Sequence, residues 1–315
     1  MPALLALASC RASPGAGPAG VPERSAVGLF AAPSYAADLA DVVFRGLQEL
    51  AVDVRGKTVL LKPNLVEFDA GTAINTHPAV VGGAAVALLR AGARRVTVGE
   101  GPAAQRDIEY LLIASGLLDV LRQLRIEFVD LNQDDVRTVR TRSWLSGLRE
   151  VFLPASVLEA DLVVSVPKLK THHWAGLTCG MKNLFGCMPG AVYGWPKNIL
   201  HFVGIDESIV DLCATLRPAL TIVDAVECME GDGPLMGRGR HMGMIAMGRD
   251  ATAVDATCAA LVGFDPARLG YLRHASAFLG NIDPGRIEQR GELPGRYATR
   301  FEVPDRLRSL LRDEG

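Results

Sequence analysis

The sequence predicts an α/β fold, a mostly parallel sheet with helices on both faces and a ligand crevice at the carboxyl ends of its strands. Two observations lead there. Short apolar runs alternate with helical stretches along the chain, as in βαβ units. The residues that directly follow the runs are polar, as expected where a parallel sheet delivers its loops to a ligand.

The strand candidates are Val27 to Ala31, Thr58 to Lys62, Arg95 to Gly99, Ile126 to Asp130, Leu162 to Val166, Leu220 to Ala225 and Gly243 to Met247. Each is a short apolar run rich in Val, Leu or Ile and suited to burial on both faces. Helices are expected over Ala37 to Leu50, Pro78 to Ala91, Ile205 to Leu216 and Ala251 to Val262. The second opens on a proline at its first turn and closes near Gly92, which is ordinary helix punctuation. Residues 134–150 are rich in Arg, Ser and Thr without a period and read as a peripheral excursion. Residues 1–25 read as a disordered leader, 26–282 as the α/β domain and 283–315 as a C-terminal appendage.

Composition narrows the function. In 315 residues, 49% are apolar, so a sizeable core is available, and 33 basic against 35 acidic residues leave a net charge of −2. That balance gives no electrostatic footprint for nucleic acid, and no apolar run reaches membrane-spanning length. A small anionic substrate is the expected partner, with self-association compatible with the sequence. Six cysteines without a C-x-x-C pair suit a cytoplasmic thiol complement. The string Leu7-Ala8-Ser9-Cys10 looks like a lipoprotein cleavage box, but no Lys or Arg precedes it.

The segment from Val166 to His201 holds three of the six histidines, two cysteines and four lysines in 36 residues, directly after a predicted strand. Neutral histidine ligates metals or moves protons near pH 7, and a desolvated lysine becomes a nucleophile or holds an anion. His172 and His173 are adjacent, so an extended chain would turn only one of them to the site. Cys179, Cys187 and His201 offer an iron or iron–sulfur reading of the same segment. The other strand ends contribute Lys62, Glu100 in GEGP (99–102) and Asp224, while Glu230-Gly-Asp-Gly-Pro reads as a turn or lid. Gly99 and Gly101 serve either a tight turn or an anion cradle.

The string PKLKTH at 167–172, G-x-K-N-L-x-G at 180–186 and His201 resemble the core signature of the family catalogued as domain of unknown function 362. NTHP (75–78), GEGP, GDGP (231–234) and DATAVD (250–255) extend the resemblance over roughly residues 27–280. Many members carry a four-cysteine ferredoxin-like module, which this sequence lacks. The segment is also similar, more remotely, to the lactate racemase family. There H-x-x-A-G-x-x-x-G-x-K leads to a lysine that carries a nickel-pincer nucleotide, and Pro-Gly and a nickel-binding histidine follow. His172, Ala175, Gly176, Gly180 and Lys182 fall on that pattern, and a three-residue insertion brings Pro189 and His201 into register.

The resemblance implies that Lys182 carries the cofactor, that His201 ligates the metal and that His172 is an acid/base. His77 replaces the arginine of a substrate-binding Thr-Arg-Pro, and the second catalytic histidine expected after Gly99 has no counterpart. The candidate catalytic residues are thus His172, His77 and Lys170. Lys182, Lys168, Asn183, Gly180 and Glu100 are the candidates for cofactor binding, and His201 for metal. The implied reaction is hydride and proton transfer on a hydroxy acid, as a racemase-like isomerase or an oxidoreductase. The alternatives are an iron or iron–sulfur redox protein and a non-catalytic anion binder.

Overall fold

A computed structural model describes residues 20–102, 106–194 and 197–313. The Leu7–Cys10 box and most of the expected leader lie outside them. The sequence alternation becomes β1 (Ser25–Ala31), α1 (Leu39–Glu49), β2 (Thr58–Pro63), α2 (Pro78–Arg90), β3 (Arg95–Glu100), α3 (Ile108–Ala114), α4 (Leu117–Leu124) and β4 (Glu127–Asp130). Next come β5 (Val136–Arg140), β6 (Glu150–Pro154), α5 (Ala155–Glu159), β7 (Leu162–Val166), β8 (Lys168–His172), β9 (Gly176–Thr178), α6 (Gly180–Asn183), α7 (Gly190–Tyr193) and α8 (Asn198–Phe202). The chain closes with α9 (Ile205–Leu216), β10 (Leu220–Glu230), β11 (Arg238–Gly248), α10 (Ala251–Leu261), α11 (Gly270–Ala275) and β12 (Ile287–Gly291).

The main sheet runs β12-β1-β11-β10-β7-β2-β3-β4, with β8 beside β10 and β9 beside β8. Every pairing from β10 to β4 is parallel. Only β11 runs against its neighbours on both sides. Its direction follows from the short link 231–237, too short for a crossover helix, so β10 and β11 close as a hairpin. Two apolar layers, one on each face, enclose the sheet. Residues 287–291 continue the sheet by pairing with β1, and Phe301, Leu307 and Leu311 are buried.

Helix starts are set by side chains that accept orphan backbone N–H groups. Asp38 accepts from Asp41 ahead of α1, His77 Nδ1 from Ala79 ahead of α2, and Asp250 from Thr252 and Ala253 ahead of α10.

One feature of the sheet builds the site. β7 lies between β2 and β10, and at Pro167, which has no N–H to give a ladder, the chain steps sideways into β8. β8 then pairs with the distal half of β10, Asp224 opposite Lys168 and Met229 opposite Lys170. The β8–β9 ribbon therefore rises beyond the carboxyl ends of the parallel strands and walls a crevice there.

A candidate active site walled by lysines

That crevice is a cavity of about 320 Å³ lined by Lys62, Glu100, Lys170, His172, His173, Lys182, Asn183, Lys197 and His201, among others. A roomier groove of about 670 Å³ lies against α10 and β12, but its walls are mainly Ala, Pro, Leu and Ile side chains. Chemistry, not volume, distinguishes the first.

At the floor, the Lys62 ammonium leaves β2 and donates to Glu100 Oε2 at 2.6 Å, to Asn183 Oδ1 at 3.0 Å and to the carbonyl of Pro63 at 2.6 Å. Glu100 also accepts from the backbone N–H groups of Leu65 and Gly101. Both charges are almost fully out of solvent, so the pair survives because all three ammonium protons are donated and both carboxylate oxygens accept. Asn183 ties this floor to α6 by donating to the Lys62 carbonyl and to Ser165 Oγ. A side chain at Gly186 would collide with Glu100 and Lys62, so this backbone passes close over the pair only as glycine.

Lys182 projects from α6 into the cavity. Its Nζ lies 3.9 Å above the centre of the Phe185 ring and makes no hydrogen bond or ion pair among the described residues. Burial, with repulsion from Lys197 and Lys62, lowers its pKa to about 7. α6 is only four residues long and owes its position to Asp255 on α10, which accepts the backbone N–H groups of Gly180 (2.7 Å) and Met181 (3.1 Å). Gly180 thus serves the turn and does not line the cavity.

His201 projects from α8 and packs edge-on against Trp174 and Phe185. Its Nδ1 faces the Lys197 carbonyl at 3.3 Å, an oxygen that only accepts, so Nδ1 carries the proton and Nε2 keeps its lone pair. Burial and the charge of Lys182 bring its pKa down to about 4, and burial holds that of His172 well below the ordinary value. Both rings are neutral near pH 7.

Lys170, fully buried, donates to the Ile74 carbonyl and has no carboxylate partner among the described residues. Its pKa is well below the usual lysine range because of burial and the charges of Lys182 and Lys168. Lys197 was not singled out in the sequence. In a left-handed backbone conformation, it sends its ammonium to the carbonyls of Gly101 and Phe185, and burial lowers its pKa to about 8. Apart from a non-glycine φ of 67°, which no sequence pattern announces, nothing marks it.

Three predicted site residues lie elsewhere. Lys168, Asp224 and His77 form a separate cluster with Tyr35. Lys168 Nζ donates to Asp224 Oδ2 at 2.6 Å, to Tyr35 Oη at 2.8 Å and to the Glu227 carbonyl at 2.9 Å. His77 caps α2 and stacks on Tyr35, so it does not replace the missing catalytic histidine in the cavity. The adjacent-histidine expectation also fails, because His172 and His173 both line the cavity with ring centres 4.9 Å apart. The chain turns straight after β8, and strand alternation no longer applies.

The cysteines do not suit iron. Cys179 and Cys187 are fully buried and lie off the cavity wall, and burial pushes the thiol pKa of Cys187 up to about 12. No group of three His, Cys, Asp or Glu side chains converges on a metal position among the described residues.

The family model for the domain of unknown function DUF362 matches residues 59–260. The chain belongs to the DUF362 family. A thylakoid-associated protein of Synechocystis is 32% identical over 222 residues, which are 68% of this DUF362 chain and 65% of that protein's length. The lactate racemase apoprotein of Thermoanaerobacterium thermosaccharolyticum superposes with a TM-score of 0.46 at 12% identity, covering 82% of this chain and 58% of that one. A Thermotoga maritima protein of known crystal structure gives a TM-score of 0.40 at 15% identity, over 70% and 58% of the two chains. This DUF362 chain therefore spans about two thirds or less of each of them. Among the described residues no helix is long and apolar enough to cross a membrane.

Proposed function

We propose that this protein is an enzyme acting on a small hydroxy-acid anion, with Lys182 as the attachment point of an organic metal cofactor of the nickel-pincer class and His201 as its protein ligand. The observation that carries the reading is the convergence of Lys182, His172 and His201 on one cavity, both imidazoles neutral at pH 7 and the amine about half so. A neutral amine is nucleophilic, and Lys182 has no polar partner to release first among the described residues.

The donor set fits such a group better than a bare ion. A metal held by protein alone needs three or four side-chain ligands, and among the described residues no three His, Cys, Asp or Glu side chains converge on one position. When bound, the group would supply a hydride acceptor next to the substrate carbon. The chain's residues would supply the rest. Lys197 would hold the anionic end by charge and Lys170 by hydrogen bonding, Trp174 and Phe185 would limit water, and the histidines would hold protons at fixed nitrogens.

Intact-mass and peptide analysis of protein coexpressed with pincer biosynthetic enzymes tests the reading. A mass increase on the peptide containing Lys182, absent in Lys182→Arg, together with stoichiometric nickel, is expected. An unmodified Lys182 without nickel removes it.

A further inference from the structure

His172 and His173 are stacked, their ring planes 22° apart, yet the backbone presents them with opposite hydrogen-bonding needs. Nδ1 of His172 accepts from two backbone N–H groups, those of Trp174 and Ala175, each at 3.2 Å. A nitrogen facing two donors holds a lone pair, so the proton of this neutral ring resides on Nε2. Nδ1 of His173 lies 3.2 Å from the carbonyl oxygen of Gly233. That oxygen can only accept, so Nδ1 carries a proton, which in the neutral ring leaves Nε2 as the acceptor.

The Gly233 carbonyl is held firmly. It also accepts the backbone N–H of His173 at 3.1 Å, and the Gly233 N–H donates to Thr171 Oγ1 at 3.2 Å. A side chain at 233 would strike the Thr171 carbonyl, so the GDGP turn approaches β8 this closely only as glycine.

We propose that His172 and His173 form a complementary pair toward one substrate, His173 Nε2 as the proton acceptor and the Nε2–H of His172 as the hydrogen-bond donor. The inference rests on the hydroxy-acid reading of the cavity. In the step, the substrate O–H bond breaks, an Nε2–H forms on His173, and the electron pair stays on the substrate oxygen. The Nε2–H of His172 stabilises that oxygen. His173 thus supplies a second histidine, but beside His172. Because the rings lie side by side and not across the cavity, the pair serves one face of a substrate. That suits one-sided oxidation or reduction better than symmetric racemisation.

Long-range proton–nitrogen correlation spectra of the full chain, labelled with ¹⁵N-histidine and free of cofactor, test the pair at pH 7.5. His173→Gln and, independently, His173→Asn assign one ring, and His172→Gln the other. The expected pattern is a protonated Nε2 on His172 and a protonated Nδ1 on His173. The same tautomer on both rings, or an imidazolium on either, overturns the proposal. Glycolate, the smallest 2-hydroxy acid, is then expected to move both Nε2 resonances and leave both Nδ1 resonances in place. Movement of fewer than both Nε2 resonances overturns the substrate-facing role. Because these spectra need no cofactor, they stand or fall separately from the loading of Lys182.

Discussion

A buried ammonium costs several kcal/mol unless a carboxylate or a ligand answers it, yet five of the chain's six lysines are placed in or beside this site. Two of them, Lys62 and Lys168, have carboxylate partners, and the rest have none among the described residues. Glu100→Gln therefore should remove about 3–5 kcal/mol of stability, because Lys62 would remain buried without its counter-charge. Urea unfolding of the variant measures this, and Lys62→Met in the same chain should restore part of the loss. A cost below about 1 kcal/mol would show that the pair contributes little. For Lys182 the sign runs the other way: with a pKa near 7, its amine loses its proton as pH rises through neutrality. Acetic anhydride labelling referenced to a free lysine amide should show Lys182 reactivity rising to half its plateau near pH 7. An inflection above pH 9 would contradict the reading. Residue types at strand ends were legible in the sequence, and Lys62, Glu100, Lys170, His172, Lys182, Asn183 and His201 do meet in the cavity. Depth was not. Lys168 and Lys170 share a face of β8 by alternation, but two residues of rise put one against Asp224 and the other at the cavity.

At the scale of elements, α6 is a single helical turn with no stability of its own, held by a carboxylate 75 residues away in sequence. Burial raises the pKa of Asp255 to about 7, above its ordinary value near 4, against the hydrogen bonds from Met181, Cys179 and Gly180 that lower it. As pH climbs from about 4 to 7, the unfolded chain gives up this proton before the folded one does. The group's contribution to stability therefore falls across that window. Asp255→Asn should remove this slope, at a cost of about 1–3 kcal/mol at pH 5 for the one backbone donor that loses its acceptor oxygen. Denaturation curves of both proteins at pH 5 and pH 7.5 measure it, and equal slopes in the two proteins would refute the assignment. The βαβ elements that frame this turn were legible because their strands are continuous apolar runs. β8 was not, since Lys168-Leu-Lys-Thr-His172 has no apolar face and is buried only because its polar groups find partners. The ribbon of β5 and β6 escaped for the opposite reason, because β5 is largely exposed and carries no hydrophobic period.

Across the whole molecule, the net charge of −2 says nothing about the site, because a sum over the surface does not describe a local field. The cavity concentrates Lys170, Lys182 and Lys197, which have no carboxylate partner among the described residues, while Arg106 at its rim is taken up by Glu67. Such a wall is stabilised by an anion that binds only the folded state. Oxalate at 100 times its dissociation constant should add about 2.7 kcal/mol to the free energy of unfolding. For a chain of this size that is a rise of several degrees in Tm, measured against sodium chloride at equal ionic strength. Lys170→Met together with Lys197→Met should abolish the increment while leaving the ligand-free Tm equal or higher, because two costly buried amines are gone. That opposition of signs separates a binding role from a structural one. A double variant that loses Tm without oxalate and still responds to it would mean that these lysines serve the fold, and the anion would have to be held elsewhere.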